Sequence, residues 1–163
     1  CAKLLDAVAW AEKRPGWDDV EVVIAGDGPL RAQLEAQAAG LQTPVEFLGF
    51  VDEEQKAGLL KGADVVVFAS TGGESFGIVL IEAFAADARV VVAGDNPGYR
   101  STVEGNEDIL VDVQNPRVFG ERLLQALNDV EFAQRVHDWQ SQHVEKFDLD
   151  AVTDRILQVY QGR

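Results

Sequence analysis

DVVVFASTGGESFGIVLIEAFAA, residues 64–86, changes its apolar period partway through. Asp64–Ala69 is an Asp-led apolar run of strand length. Ser70, Thr71, Gly72 and Gly73 form a loop of small residues. From Ser75 onward the pattern is that of a helix apolar nearly all round, reaching about residue 86. Ser75 is the expected N-cap, because its hydroxyl can accept from the first free helix amides. Strand, small-residue loop and helix in that order make one step of an α/β protein.

Two carboxylates mark this step. Glu74 immediately precedes Ser75, and Glu82 lies inside the apolar run. A carboxylate buried without a partner is rare, because losing its water is costly. With Ser75 as cap, Phe76, Gly77 and Ile78 present free N–H groups at a helix start, which attracts anions. Gly77 in a first turn costs roughly 1 kcal/mol relative to Ala, a cost that a close approach to the backbone would explain. Continuous helix would put Glu82 about 12 Å along the axis from Glu74. That is comparable to the ribose-to-hexose span of a nucleoside diphosphate sugar. The competing reading is a solvated Glu74 and a Glu82 paired with Arg89 or Arg100, and spacing alone leaves both open.

Outward from this stretch, strands and helices alternate. A helix is expected at about 2–14, then Pro15-Gly16 as a breaker. VEVVIA at 20–25 is apolar enough to be a strand buried on both faces. Further strands are expected at 45–48, 64–69, 89–93 and 108–111. Helices are expected at about 29–39, 53–61 (capped by Asp52), 98–103, 115–128, 130–145 and 149–161. The fold class is therefore α/β, a Rossmann-like parallel sheet flanked by helices. Four loops, Gly26–Pro29, Gly49–Asp52, Ser70–Ser75 and Gly94–Gly98, should line one crevice beyond the carboxyl ends of the strands. No strand precedes the first helix, although doubly wound sheets place their first strand centrally. Either the sheet lacks a central strand, which another chain could supply, or its strand order differs.

Bulk properties exclude several classes. At 163 residues the chain is one domain with a real core. A net charge of −14 makes nucleic acid a poor partner. No apolar run approaches the roughly 18–20 residues of a transmembrane helix, and no signal-peptide pattern opens the chain. Cys1 is the single cysteine, and His137 and His143 do not share a helix face at i,i+4 spacing, so no metal site is expected. Gly26-Asp27-Gly28 after a strand suggests a dinucleotide fingerprint, but Arg31 stands where its third glycine belongs, so NAD binding fails on its own pattern. What remains is a tight turn or a loop that a ligand approaches closely.

GGESFGIVLIEAFAA closely resembles the Glu-x7-Glu segment of retaining GT-B glycosyltransferases of group 1. VIAGDGP, FLGFVDEEQKAGLLKGADVVVFAS and VVVAGDNPGYRSTVEG resemble that family's flanking blocks in the right order. GFVDEEQK followed by GGESFGIVL looks most like the phosphatidylinositol mannosyltransferase branch. The resemblance implies that residues 1–163 are a donor-binding domain, the C-terminal half of a two-domain enzyme whose N-terminal domain binds acceptor. It implies metal-independent hexosyl transfer with retention, with no cofactor beyond the nucleotide-sugar donor.

Carried over by position, Glu74 would contact the donor hexose near the reacting carbon. Ser75, Phe76, Gly77, Ile78 and Val79 would present main-chain groups to sugar and diphosphate, with Gly26 across the crevice. Glu82 would bind the ribose hydroxyls, and Val51, Glu53 and Lys56 would surround the base. A carboxylate at Glu53 accepts from guanine N1 and N2 and Lys56 donates to O6, which favours GDP-mannose over a UDP-hexose; a solvated Glu53 and Lys56 on a surface helix is the alternative. The resemblance also implies an Arg and a Lys just ahead of the first helix to neutralise the leaving diphosphate. Lys3 does not occupy that place, so the chain by itself is expected to be inactive. Ala85-Ala86-Asp87 replaces the family's Ala-Ala-Gly and leaves that turn in question. The acceptor would be a lipid such as phosphatidylinositol, and the whole protein cytoplasmic, with any membrane contact made by the other domain. The competing functions are a UDP-hexose-dependent enzyme of the same fold and a non-catalytic nucleotide-sugar-binding module.

Overall fold

The computed structural model describes residues 1–148, so the helix expected at 149–161 lies outside the described residues. The element order is α1 (Ala2–Ala11), β1 (Val22–Ala25), α2 (Arg31–Ala38), β2 (Val45–Gly49), α3 (Glu53–Gly62), β3 (Val66–Phe68), α4 (Ile78–Ala85), β4 (Val91–Gly94), α5 (Pro97–Thr102), β5 (Leu110–Val111), α6 (Pro116–Asn128) and α7 (Val130–Val144). Every expected strand forms. β2 begins at Val45 as expected, and the other four begin two residues late, with Asp64 and Arg89 paired to each other ahead of β3 and β4.

Every strand pairing is parallel, but the sheet is in two parts: β1-β2, and β3-β4-β5. Between β1 and β3 no strand stands among the described residues. A cleft of about 1670 Å³ opens there. This corrects one expectation. β1 is not buried on both faces, since Val23 is 44% exposed. Val22, Val23 and Ala25 line the cleft, while Ile24 packs into the core beneath β1.

β4 is buried along its whole length, as a central parallel strand should be. β5 pairs only with its carboxyl half, Ala93 and Gly94. Gln140 of α7, 1% exposed, serves the other half, accepting from the Val91 amide at 2.8 Å and donating to the Ala88 carbonyl at 2.9 Å. The main core joins β3-β4-β5 to α1, α4, α6 and α7, while Leu5, Ile24 and Ala38 form a smaller cluster under β1. α1 touches both clusters and thereby ties the two sheets together. Its close packing on α6 depends on Gly120, where a Cβ would stand 2.5 Å from the Trp10 ring. His143 is also structural: buried and stacked on Trp139 at 4.1 Å, it donates to the Thr102 carbonyl at 2.8 Å.

Candidate functional site

The loop between β3 and α4 carries Glu74. The helix that follows starts later than its sequence suggests. α4 begins at Ile78, and its N-cap is Gly77 in the left-handed conformation (φ 74°), without a side-chain cap. Ser75 is therefore not the cap. The free amides at the helix start are those of Ile78 and Val79, because Leu80 already donates to the Gly77 carbonyl at 3.0 Å. Ser75, Phe76 and Gly77 lie in the loop. Glu74 and Glu82 are then not joined by continuous helix. Only the four steps from Ile78 to Glu82 are helical, about 6 Å of rise, so helix rise alone does not set the separation of Glu74 from Glu82.

The glycine has a different reason from the one expected. A Cβ on Gly77 would sit 2.4 Å from Cδ1 of Tyr99. The group that approaches the backbone there is this buried ring on α5. The same contact surface holds the rest of the loop. Asn96 caps α5 by accepting from the Tyr99 amide at 3.0 Å, and its side-chain amide donates to the Ser70 carbonyl at 3.1 Å. A Cβ on Gly98 would stand 2.2 Å from the Glu74 carbonyl oxygen, and one on Gly94 2.2 Å from that of Ser70. Burial and then the Glu74 charge push the Tyr99 phenol up to about 12. Glu74 is exposed; its backbone is clamped, and its carboxylate accepts from the Tyr99 hydroxyl at the mouth of the cleft. Asn96, Gly98 and Tyr99 were missed as positioning residues. The Asn-Pro pair, an N-cap followed by an N1 proline, was the available signal.

Glu82 faces neither Arg89 nor Arg100. Those arginines pair with Asp64 and Asp95. Glu82 lies 3.2 Å from Lys56 Nζ, which also sits 2.8 Å from Glu53. Hydrogen bonds to Glu53 and then to Glu82 hold the Lys56 ammonium above its ordinary value. α3 can deliver Lys56 because Asp52 starts it as expected, with Asp52 and Gln55 forming a capping box. Three residues singled out in the sequence thus meet where α3 packs on α4.

Gly26 ends β1 with its N–H donated to the Gly49 carbonyl at 2.7 Å, and nothing lies within 4 Å of where its Cβ would be. It is open to a ligand. Arg31, in place of the third glycine, donates to the Phe47 carbonyl at 3.1 Å and so braces the end of β2. Val51, Ser70, Glu74, Val79 and Tyr99 share the carboxyl-end mouth of the cleft. Phe50 (88% exposed), Phe76 and Ile78 are exposed at the same end, and the Phe76 ring meets Phe147 edge-on at 5.8 Å. Asp87, in the family's glycine position, takes the left-handed conformation (φ 63°) that Asp tolerates. The Ala88 amide then donates to Ala83 and that of Asp87 to Phe84, a Schellman turn, so the substitution preserves the geometry.

The fold is that of GT-B glycosyltransferases. The match to the crystal structure of a glycosyltransferase from Anabaena in complex with UDP-glucose has a TM-score of 0.78 at 24% identity, over 99% of this chain and 45% of that one. The catalytic domain of the cholesterol-alpha-glucosyltransferase from Helicobacter pylori matches with a TM-score of 0.76 at 21% identity, over 90% of this chain and 89% of that one. The chain belongs to the family of group 1 glycosyl transferases, whose model matches residues 2–140. The phosphatidyl-myo-inositol mannosyltransferase of Mycobacterium tuberculosis is 37% identical over 98% of this chain and 43% of its own length. That of Mycobacterium leprae is 36% identical over 89% of this chain and 38% of its own. The chain thus spans well under half the length of these curated relatives. A GDP-mannose-dependent alpha-(1-6)-phosphatidylinositol dimannoside mannosyltransferase of M. tuberculosis is 46% identical over 76 residues. Among the described residues no helix is long and apolar enough to cross a membrane.

Proposed function

We propose that the chain is the donor-binding domain of a longer, two-domain, retaining glycosyltransferase that moves mannose from GDP-mannose to an acceptor, a lipid such as phosphatidylinositol. The observation that carries this reading is the joined pair of sites around α4: Glu74 clamped before the helix, and Glu82 on it, held by Lys56, which Glu53 also engages. In the reaction the bond between the anomeric carbon and the diphosphate breaks, the hexose passes to an acceptor hydroxyl, and GDP leaves. Glu74 accepts from hexose hydroxyls. The Ile78 and Val79 amides face the diphosphate, where fixed dipoles stabilise the charge that develops on departure. Glu82 accepts from the ribose, while Glu53 and Lys56 meet guanine. No metal takes part in this scheme.

The GDP preference is supported by that donor and acceptor pairing and by the GDP-mannose dependence named for one relative. Calorimetric titration of the chain with GDP, UDP and NAD tests it. GDP should bind more tightly than UDP, NAD should not bind, and EDTA should change nothing. The reverse order of GDP and UDP would remove the case for mannose, and no binding of either would remove the donor site. The chain alone should transfer no sugar, because the site as described has carboxylates facing a dianionic ligand and its free amides carry only partial charge.

A further inference from the structure

We infer that Phe147, at the end of the 3₁₀ turn Glu145–Phe147 that extends α7, is a positioning residue for the donor: through the ring of Phe76 it fixes the loop between Glu74 and α4. This role rests on the proposed donor site, in which Phe76 stands between the hexose group Glu74 and the diphosphate amides of Ile78 and Val79. The loop has little rigidity of its own. Residues 71–76 are all exposed, and nothing lies within 4 Å of where a Cβ on Gly72 or Gly73 would be, so packing does not check the freedom of these glycines. The backbone is held at Ser70 by Asn96, at Glu74 by Gly98 and at Gly77 by Tyr99. All three holds come from α5 and its N-cap. Phe76 reaches a different element. Its ring, 44% exposed, meets that of Phe147 edge-on at 5.8 Å and 67°.

Phe147 can serve as a support because it is itself firmly mounted. One turn back, the buried His143 donates to the Thr102 carbonyl at 2.8 Å and meets the Phe147 ring at 5.4 Å. Lys146 donates to both carboxylate oxygens of Glu104 at 2.9 Å. His143 also stacks on Trp139 and stands edge-on to Phe84 at 6.4 Å. Phe84 belongs to α4, about 9 Å of rise beyond Ile78. Phe76, Phe147, His143 and Phe84 thus form a ladder that leaves the donor loop and returns to the far end of the helix the loop leads into. The ladder sets the loop against the helix whose first amides face the diphosphate. An edge-on aromatic pair shifts an equilibrium about 2–10-fold, and a loop held before binding spares the ligand the cost of ordering it.

Calorimetric titration of GDP-mannose into the chain and its variants tests this. Phe147→Ala should weaken binding about 2–10-fold, and Phe147→Tyr, which keeps the ring, should bind like the unchanged chain. Phe147→Leu keeps the apolar bulk and guards against an alanine variant that fails to fold; it should still lose about 2-fold or more. Phe76→Ala should also weaken binding. The double variant Phe76→Ala/Phe147→Ala should lose no more than Phe76→Ala alone, because Phe147 acts through Phe76. A merely structural role would let the two losses multiply. Unchanged affinity in a folded Phe147→Leu chain, or losses that multiply, would overturn the role of Phe147 and leave the donor site standing. A chain that binds neither GDP-mannose nor GDP would overturn both.

Discussion

Gly98→Ala is the substitution that separates holding Glu74 from holding the nucleotide. The added methyl would stand 2.2 Å from the Glu74 carbonyl oxygen and 2.7 Å from its carbonyl carbon. Ordinary contact begins near 3.4 Å, so the Glu74 backbone or α5 must give way by about 1 Å. α5 is held by the buried Tyr99 and Asn96, whereas the Glu74 loop is exposed. The loop therefore moves. Because a loop yields cheaply, thermal unfolding should shift by only a few degrees, while Glu74 loses its hydrogen bonds to the hexose. A lost hydrogen bond to a charged group is worth about 1.5–3 kcal/mol, or roughly 10–150-fold in affinity. Paired calorimetric titrations read this out. GDP-mannose should lose that factor and GDP should lose little, since GDP has no hexose. Equal losses for the two ligands, or unchanged GDP-mannose binding in a folded variant, would refute the assignment of Glu74 to the sugar.

Two further substitutions follow from the same packing. Gly77→Ala adds left-handed strain of about 1–2 kcal/mol and overpacking against the Tyr99 ring of about 1–3 kcal/mol. Urea unfolding should register about 2–5 kcal/mol, with the slope of the transition unchanged. The Tyr99 phenol is raised from its usual 10.0 to about 12. Its contribution is therefore complete below pH 10 and is lost as pH rises from 10 toward 12, because the unfolded chain releases that proton first. Tyr99→Phe should remove this part of the alkaline loss of stability, measured as urea midpoints across that range.

The order and type of the described elements were legible because each strand is a compact apolar run and each helix has a cap or breaker at hand. Asp52 announces α3 at its first residue. What was not legible depended on neighbours far along the chain. Ser75 has the chemistry of a cap, but Gly77 takes the position because Tyr99, 22 residues later, packs against it. Glu82 has arginines closer in sequence, yet Asp64 and Asp95 hold those, which leaves Lys56 from 26 residues upstream. VEVVIA reads as fully buried, and its composition suits that state. Its exposed face reflects the empty place beside it, which no local pattern encodes. That no strand stands between β1 and β3 among the described residues was legible from connectivity alone.

The central claim is that the start of α4 receives the diphosphate of a guanine nucleotide. Amide chemical shifts during titration with GDP test it most directly. The account predicts that Ile78 and Val79 shift most, with Gly26 moving alongside and the Lys56 side chain responding as guanine engages it. Saturating GDP that leaves Ile78 and Val79 unmoved while perturbing another surface would contradict it.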